Sequence, residues 1–206
     1  MRYPDSRILI FCKAPVPSKV KTRLLETLRP EQATRLHEHL AIKTIETAIG
    51  SELCPVEIWC HPNPDHPFFQ NLSGVSAFYA QEGENLGERM YGALVSVLER
   101  ADAAVLIGTD SPSLTQGLLM QALAALHADH DLVIAPAEDG GYTLIGMKQP
   151  VQSLFEDLQW GTAKVMEQTR ERIMKAGLSY LVLPLQWDVD DPHDLRRLID
   201  LGEFSI

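Results

Sequence analysis

The sequence predicts an α/β protein of three α/β/α layers around a mostly parallel, doubly wound mixed sheet, with residues 1–206 forming a single domain. Three observations predict this. The runs within Arg7–Cys12, Ala103–Ile107 and Asp131–Pro136 are apolar without alternation, the habit of strands buried on both faces of a parallel sheet. Segments of helical period separate those runs, giving β-α-β-α order. Charged and glycine-rich stretches follow the strands, where open α/β sheets receive ligands.

Composition narrows the function. The chain is 45% apolar and 22% charged, ordinary for a globular domain. Its net charge of -10 argues against a nucleic-acid or anionic-membrane partner. Phosphates would have to bind at a local basic or metal-loaded site. The three cysteines, Cys12, Cys54 and Cys60, form no C-x-x-C pair and suggest reduced thiols in a cytoplasm. Ile8–Cys12 is too short for a signal peptide, and no stretch approaches the ~20 apolar residues of a membrane span.

In chain order, Arg7–Cys12 is the first strand. Lys13 to Arg23 follows, with four cations, Lys13, Lys19, Lys21 and Arg23, and no acid. Pro15 and Pro17 stiffen it. Lying between a strand and a helix, this loop suits phosphate binding, with backbone N–H groups adding donors. It has neither Walker glycines nor G-x-G-x-x-G, and a solvated basic loop is the bland alternative. Pro30–Gly50 reads as a helix, with Pro30 in the first turn and Gly50 at its end. His37 and His39 are two apart, do not face each other, and are expected on the surface.

Val56–Cys60 is the second strand, and His61–Asp65 at its end either makes a turn or brings His61 and Asp65 to a ligand. Ser76–Ala80 is the third. It runs into Gln81–Met90, where Gly83 and Gly87 allow close backbone approach near a helix reaching Arg100. Arg89 either adds a cation to a cleft or pairs with Glu84 or Glu88. The fourth strand, Ala103–Ile107, leads to Asp110. A lone carboxylate past a central strand is a natural Mg²⁺ or Mn²⁺ ligand, or it caps a turn. A helix spans Thr115–His127, and Asp131–Pro136 is the fifth strand.

Glu138-Asp139-Gly140-Gly141-Tyr142 then makes a tight return into a strand through Met147. Its glycines would let substrate lie against backbone while Glu138 and Asp139 point at hydroxyls or metal. Trp160-Gly161-Thr162 precedes a helix over Ala163–Ala176, with Thr162 as its cap and Gly177 as its stop. Trp160 is either a core anchor or a stacking wall. Ser179–Leu185 is the last strand. In Trp187–Leu195, Asp191 caps the final helix with Pro192 at its first position. Asp188 and Asp190 share a face, and Asp190 is free to face the sheet.

The loop cations, Asp110, the acid-Gly-Gly turn and Asp190 all follow strands, so they can converge on one edge. Distant carboxylates with cations opposite make a divalent-metal and diphosphate site. No Ser-His-Asp order, H-E-x-x-H or reactive cysteine supports a hydrolase.

These residues resemble a known family. Lys13-Ala14-Pro15-Val16-Pro17, Lys19–Leu24, Gln81–Met90, Gly108-Thr109-Asp110-Ser111-Pro112, Pro136–Gly146, Trp160-Gly161-Thr162 and Asp188-Val189-Asp190-Asp191-Pro192 look like the radical-SAM/selenodomain-associated, glycosyltransferase-like transferases. That family lies within the nucleotide-diphospho-sugar transferase (GT-A, Rossmann-like) superfamily. The molybdenum-cofactor and phospholactate guanylyltransferases are more distantly similar. The resemblance implies nucleotide binding by Lys13, Ala14, Pro15, Lys19, Lys21, Thr22 and Arg23, with Gln81, Gly87 and Arg89 beside them. It also implies metal at Asp110 and Asp190. Gly140, Gly141, Tyr142, Trp160, Gly161 and Thr162 would contact substrate, and Glu138 or Asp139 would be the base. The first loop lacks the glycine-rich A-x-G-x-G-x-R of nucleotidyltransferases, and Asp110 lacks a D-x-D partner. The first departure weighs against nucleotidyl transfer and the second against a strict metal requirement; the expected activity is metal-assisted glycosyl transfer from a nucleoside-diphosphate sugar to a small acceptor. The alternative is nucleotidyl transfer from a triphosphate with release of pyrophosphate, and nothing opposes a homodimer.

Overall fold

The computed structural model describes residues 1–206. The strands are β1 (Ser6–Lys13), β2 (Val56–His61), β3 (Ala77–Ala80), β4 (Ala103–Ile107), β5 (Leu132–Pro136), β6 (Tyr142–Met147) and β7 (Tyr180–Val182). The helices are α1 (Pro30–Gly50), α2 (Pro67–Gln70), α3 (Leu86–Leu98), α4 (Gln116–Leu126), α5 (Val165–Lys175) and α6 (Pro192–Asp200). One seven-stranded sheet has the order β3-β2-β1-β4-β6-β5-β7. Only β6 runs antiparallel to its neighbours, β4 and β5.

The apolar runs fill both faces of the sheet. Ile8, Ile10, Val105 and Val133 pack with Ala41 and Ile45 of α1 and Leu119 and Leu123 of α4. Leu9, Leu106, Ile134 and Ile145 face the other way, onto Met90 and Leu94 of α3 and Met166 and Ile173 of α5. Each such side chain contributes about 1.5–3 kcal/mol on burial. A third cluster joins Leu36 and Leu40 of α1 to Val189, Leu195 and Leu198, anchoring α6 beside the first loop.

Local chemistry sets the helix starts. Asn85 accepts from Glu88 N at 3.0 Å, and Thr115 accepts from Leu118 N at 3.1 Å. Asp191 accepts from His193 N and Asp194 N, while Asp194 accepts from Asp191 N, a reciprocal box.

Four details differ from expectation. The helix expected over 163–176 starts at Val165, preceded by Lys164 without a side-chain cap. Thr162 Oγ1 instead donates to Gln159 O at 2.7 Å and holds Lys164 N only at 3.4 Å. The last strand is shorter than Ser179–Leu185, because Pro184 has no N–H for the ladder. Its path resumes where Gln186 N bonds Pro136 O. Helix α3 stops at Leu98, short of Arg100. The short α2, and 3-10 turns at Thr22–Leu24 and Gln152–Leu154, carry too little periodicity to read.

Strand order reverses between β1 and β4: β2 and β3 lie outside β1, while the later strands lie beyond β4. Ligands bind at such a switch point, beyond the carboxyl ends of the strands. Lys13 ends β1, and Asp110 lies three residues beyond Ile107 at the end of β4.

Candidate functional site

The loop after β1 folds back on itself: Lys13 Nζ donates to Lys19 O at 2.7 Å. Lys21 is left-handed, with φ 47° and ψ 42°, just before the Thr22–Leu24 turn that buries Leu24. A non-glycine residue held there costs of order 1 kcal/mol. The conformation turns the Lys21 side chain inward, where it is only 4% exposed. Its ammonium bonds the Asp110 carboxylate, donates to Val189 O at 2.8 Å and lies 3.9 Å from Asp190 Oδ1. Arg23 reaches Asp190 Oδ2 at 3.1 Å.

His37 is buried, contrary to the expectation of a surface residue. Its Nε2 donates to Lys13 O at 2.8 Å, and Nδ1 lies 4.0 Å from Asp110 Oδ1. Burial lowers its pKa, so the ring is neutral at pH 7 despite the nearby carboxylate. Asp110 keeps 45% of its side chain exposed, and although partial desolvation opposes its ionisation, the Lys21 ammonium outweighs this and holds the carboxyl below its ordinary range. His39, by contrast, is exposed.

A chamber of about 520 Å³ opens above these groups. Lys13, Lys19, Lys21, Thr22, Arg23, Gln81 and Arg89 line it, together with His37, His61, Asp110 and Asp190. Arg89 is braced by Gly83 O at 2.9 Å and His61 Nδ1 at 3.3 Å, with no ion pair to Glu84 or Glu88. Gln81 Nε2 donates to Trp59 O at 2.7 Å. Ala14 and Pro15 are buried beneath the loop and do not reach the chamber. Gly87 also lies elsewhere: a Cβ there would meet Phe155 O at 2.4 Å and the Trp160 indole at 2.8 Å. It lets α3 pack closely on the segment before α5.

A second, smaller chamber of about 240 Å³ adjoins the first. Apolar side chains of Phe11, Leu86, Met90, Leu106, Trp160 and Val165 form much of its wall. Gly141, Tyr142, Gly161 and Thr162 also line it, with Asp139 and Asp188 at its acidic end. Trp160 meets Tyr142 edge-on, ring centroids 6.2 Å apart, so it is a chamber wall rather than only a core anchor. Gly140 does not line the chamber. Its φ of +87° makes the turn, and a Cβ would strike Ala163 O at 2.4 Å.

The two acids of that turn part company. Glu138 bonds Arg197 at 2.9 Å, and Arg197 stacks on Trp187 at 4.1 Å. Asp139 accepts from Gly141 N at 2.8 Å, which holds it toward the chamber. Ligand atoms of Asp139, Asp188 and Asp190 lie within 4.8 Å of one another. Burial raises the Asp188 pKa to about 7, aided by Asp139, Asp190 and Asp110. Burial likewise raises Asp190, with Lys21 opposing. Convergence of three carboxylates favours a bound cation, and their oxygens suit a hard divalent ion. Asp110 and Asp190, the expected metal pair, are bridged by the Lys21 ammonium, which bonds Asp110 and lies 3.9 Å from Asp190. Asp190 groups instead with Asp139 and Asp188.

Asp188 and His37 belong to the site without having been picked out as ligand-binding. The helical stripe Ala33, Leu36, His37, Leu40, Ala41 does place His37 on the buried face. Asp188 carried the signal of sharing a face with Asp190.

The fold is that of the nucleotide-diphospho-sugar transferases. A protein from Desulfovibrio desulfuricans G20, provisionally described as a nucleotide-diphospho-sugar transferase, is 34% identical, with a TM-score of 0.88 over 98% of this chain and 89% of that one. Residues 44–162 match the family described as "Uncharacterized protein conserved in bacteria (DUF2064)", and the chain belongs to that family. Two more distant structures share the fold. The 4-diphosphocytidyl-2C-methyl-D-erythritol synthase of Anaerococcus prevotii DSM 20548 has a TM-score of 0.64 at 8% identity, over 98% of this chain and 99% of that one. The glucosyl-3-phosphoglycerate synthase of Mycobacterium tuberculosis, solved with Mn²⁺, UDP and glucosyl-3-phosphoglycerate, has 0.55 at 10% identity, over 96% and 76%. No curated protein matches the chain. No helix is long and apolar enough to cross a membrane.

Proposed function

We propose that this protein is a metal-assisted glycosyltransferase that moves a sugar from a nucleoside-diphosphate sugar to a small acceptor. One observation carries the reading: a cation-lined chamber and a mainly apolar one adjoin, with three carboxylates gathered between them. The diphosphate would lie among Lys13, Lys19, Arg23 and Arg89, whose charges stabilise the leaving group. The acceptor would enter the chamber walled by Tyr142, Trp160, Gly161 and Thr162. Mg²⁺ or Mn²⁺ would be held by Asp188 and Asp190, with Asp139 left free beside them, and when bound it neutralises charge developing on the diphosphate.

In the transfer, the acceptor oxygen bonds the anomeric carbon. The bond from that carbon to the diphosphate breaks, and its electron pair leaves with the diphosphate. The acceptor proton passes to Asp139, the acid of the turn that faces the chamber. Asp110 acts through Lys21, fixing the ammonium between itself and Asp190.

Nucleotidyl transfer from a triphosphate is the second reading, favoured by the number of cations at the first chamber. A thermal-shift panel of UDP, GDP, UTP, GTP, CTP and nucleotide sugars, with and without Mn²⁺ or Mg²⁺, separates the two. A ligand at 100 times its dissociation constant adds about 2.7 kcal/mol, or about 5–10 °C for a chain of this size. Metal-dependent stabilisation by one diphosphate and its sugar supports glycosyl transfer. Stabilisation by a triphosphate alone moves the assignment to nucleotidyl transfer, and no shift with any of them refutes both.

A further inference from the structure

We infer that Gly108 is the size gate of the donor site, a glycine required by the ligand and not by the fold. The inference rests on the glycosyl-transfer reading and adds the position that selects the transferred group.

Glycines are held in proteins by two demands: a left-handed backbone, or a neighbour too close for a Cβ. Gly92, Gly108 and Gly117 have neither a left-handed φ nor an atom closer than 3.4 Å to where a Cβ would stand, and of these Gly108 alone has nothing within 4 Å and lines a chamber. Its amide bonds Thr143 O at 3.3 Å, the bond expected at the end of the β4–β6 pairing, and an alanine or valine would keep it. Nothing within 4 Å therefore opposes a Cβ here. Yet the flanking Ile107 and Thr109 are buried, while Gly108 itself is exposed.

What it is exposed to is the junction of the two chambers. Phe11, Leu86 and Gly108 are the residues that line both. Leu86 opens α3 and stands 46% exposed at that mouth. Two apolar side chains and one bare backbone thus form the neck through which a donor spanning both chambers must pass. A diphosphate in the cationic chamber needs no room there. The group attached to it does, because it leads from the cations toward Asp139 and the acceptor chamber. A side chain at position 108 would fill the space given to that group, and a larger one would exclude larger groups.

The test is calorimetric titration of wild type, Gly108→Ala and Gly108→Val with UDP and GDP, and with UDP-glucose and GDP-mannose, all in Mn²⁺. Melting temperatures are measured alongside. Gly108→Val should melt within about 2 °C of wild type. It should bind the diphosphate within about twofold of wild type but weaken the matching nucleotide sugar about tenfold or more, with Gly108→Ala between. Undiminished sugar-nucleotide binding by Gly108→Val overturns the inference while leaving the functional reading intact. So does an equal loss of diphosphate and nucleotide sugar, or a large fall in melting temperature. Failure of wild type to bind any of the four ligands, or any other nucleotide or nucleotide sugar of the thermal-shift panel, overturns the functional reading, and the gate with it.

Discussion

The Lys21 ammonium is bonded to the Asp110 carboxylate across 89 positions of chain, joining the loop after β1 to the end of β4 at the reversal of strand order. Because Lys21 is also held by Val189 O, this one side chain ties together three segments that meet only in the folded protein.

Asp110→Asn keeps the shape but removes the charge that opposes the Lys21 ammonium. Lys21 retains Val189 O and Asp190, and Asp110 is 45% exposed, so the fold should lose only about 1–2 kcal/mol, or about 2–8 °C in melting temperature. Metal-dependent nucleotide binding should fall at least about tenfold. Differential scanning fluorimetry with and without nucleotide reads both, and unchanged nucleotide binding removes Asp110 from the site.

Asp188 makes the metal-free protein sensitive to pH. Its carboxyl titrates near 4 in the unfolded chain and at about 7 when folded. Between those values the folded state holds the extra proton, so stability falls as pH rises from about 4 to about 7 and then levels. Asp188→Asn in EDTA should flatten that slope and be more stable than wild type above pH 7, with the difference vanishing toward pH 4. Mn²⁺ should restore wild type at high pH but not the variant. Parallel melting curves for the two proteins in EDTA would show that Asp188 carries no excess cost of ionisation.

The roles of the two acids in the β5–β6 turn separate by mutation. Glu138 is occupied by Arg197 at the surface, whereas Asp139 lines the acceptor chamber. Glu138→Gln should leave turnover of a nucleotide sugar within about threefold, while Asp139→Asn should lower it about 100-fold, the range of a lost general base. A larger loss from Glu138→Gln reverses the assignment. The comparison is made on melting-matched proteins, because exposed pairs like Glu138–Arg197 contribute only about 0–1 kcal/mol.

Away from the site, Glu57 is a carboxylate at the second position of β2, 2% exposed, gripped by both terminal nitrogens of Arg100 at 2.7 and 2.8 Å. Arg7 approaches it at 3.5 Å. Arg100→Ala leaves a buried charge with one poor partner and should cost about 2–3 kcal/mol, the partial exposure of Arg100 reducing the value for a fully buried pair. Chemical denaturation measures this directly. A loss below about 0.5 kcal/mol would mean that Arg7 replaces Arg100 unaided.

The strands and long helices were legible because their causes are local. Ile8 to Cys12 and Ala103 to Ile107 are apolar on both faces, and a chain cannot leave such a run in water. Pro30 and Gly50 bound α1, and Asp191 with Pro192 starts α6, because capping groups lie within a turn of what they cap. That charged loops follow these strands could also be read, since β-α-β connections bring strand ends to one edge.

Which of those loop residues touch was decided only by tertiary structure. Glu138 and Asp139 are adjacent and chemically alike, yet one faces Arg197 and the other the chamber, because the turn of Gly140 against Ala163 directs them apart. Lys21, rather than Lys19, enters the carboxylates because a left-handed backbone at that single residue turns it inward. His37 is buried because α1 lies across the first loop, and Gly108 is open because two chambers meet above it. Sequence carries information over a turn or a strand, whereas these choices depend on packing between segments tens of residues apart.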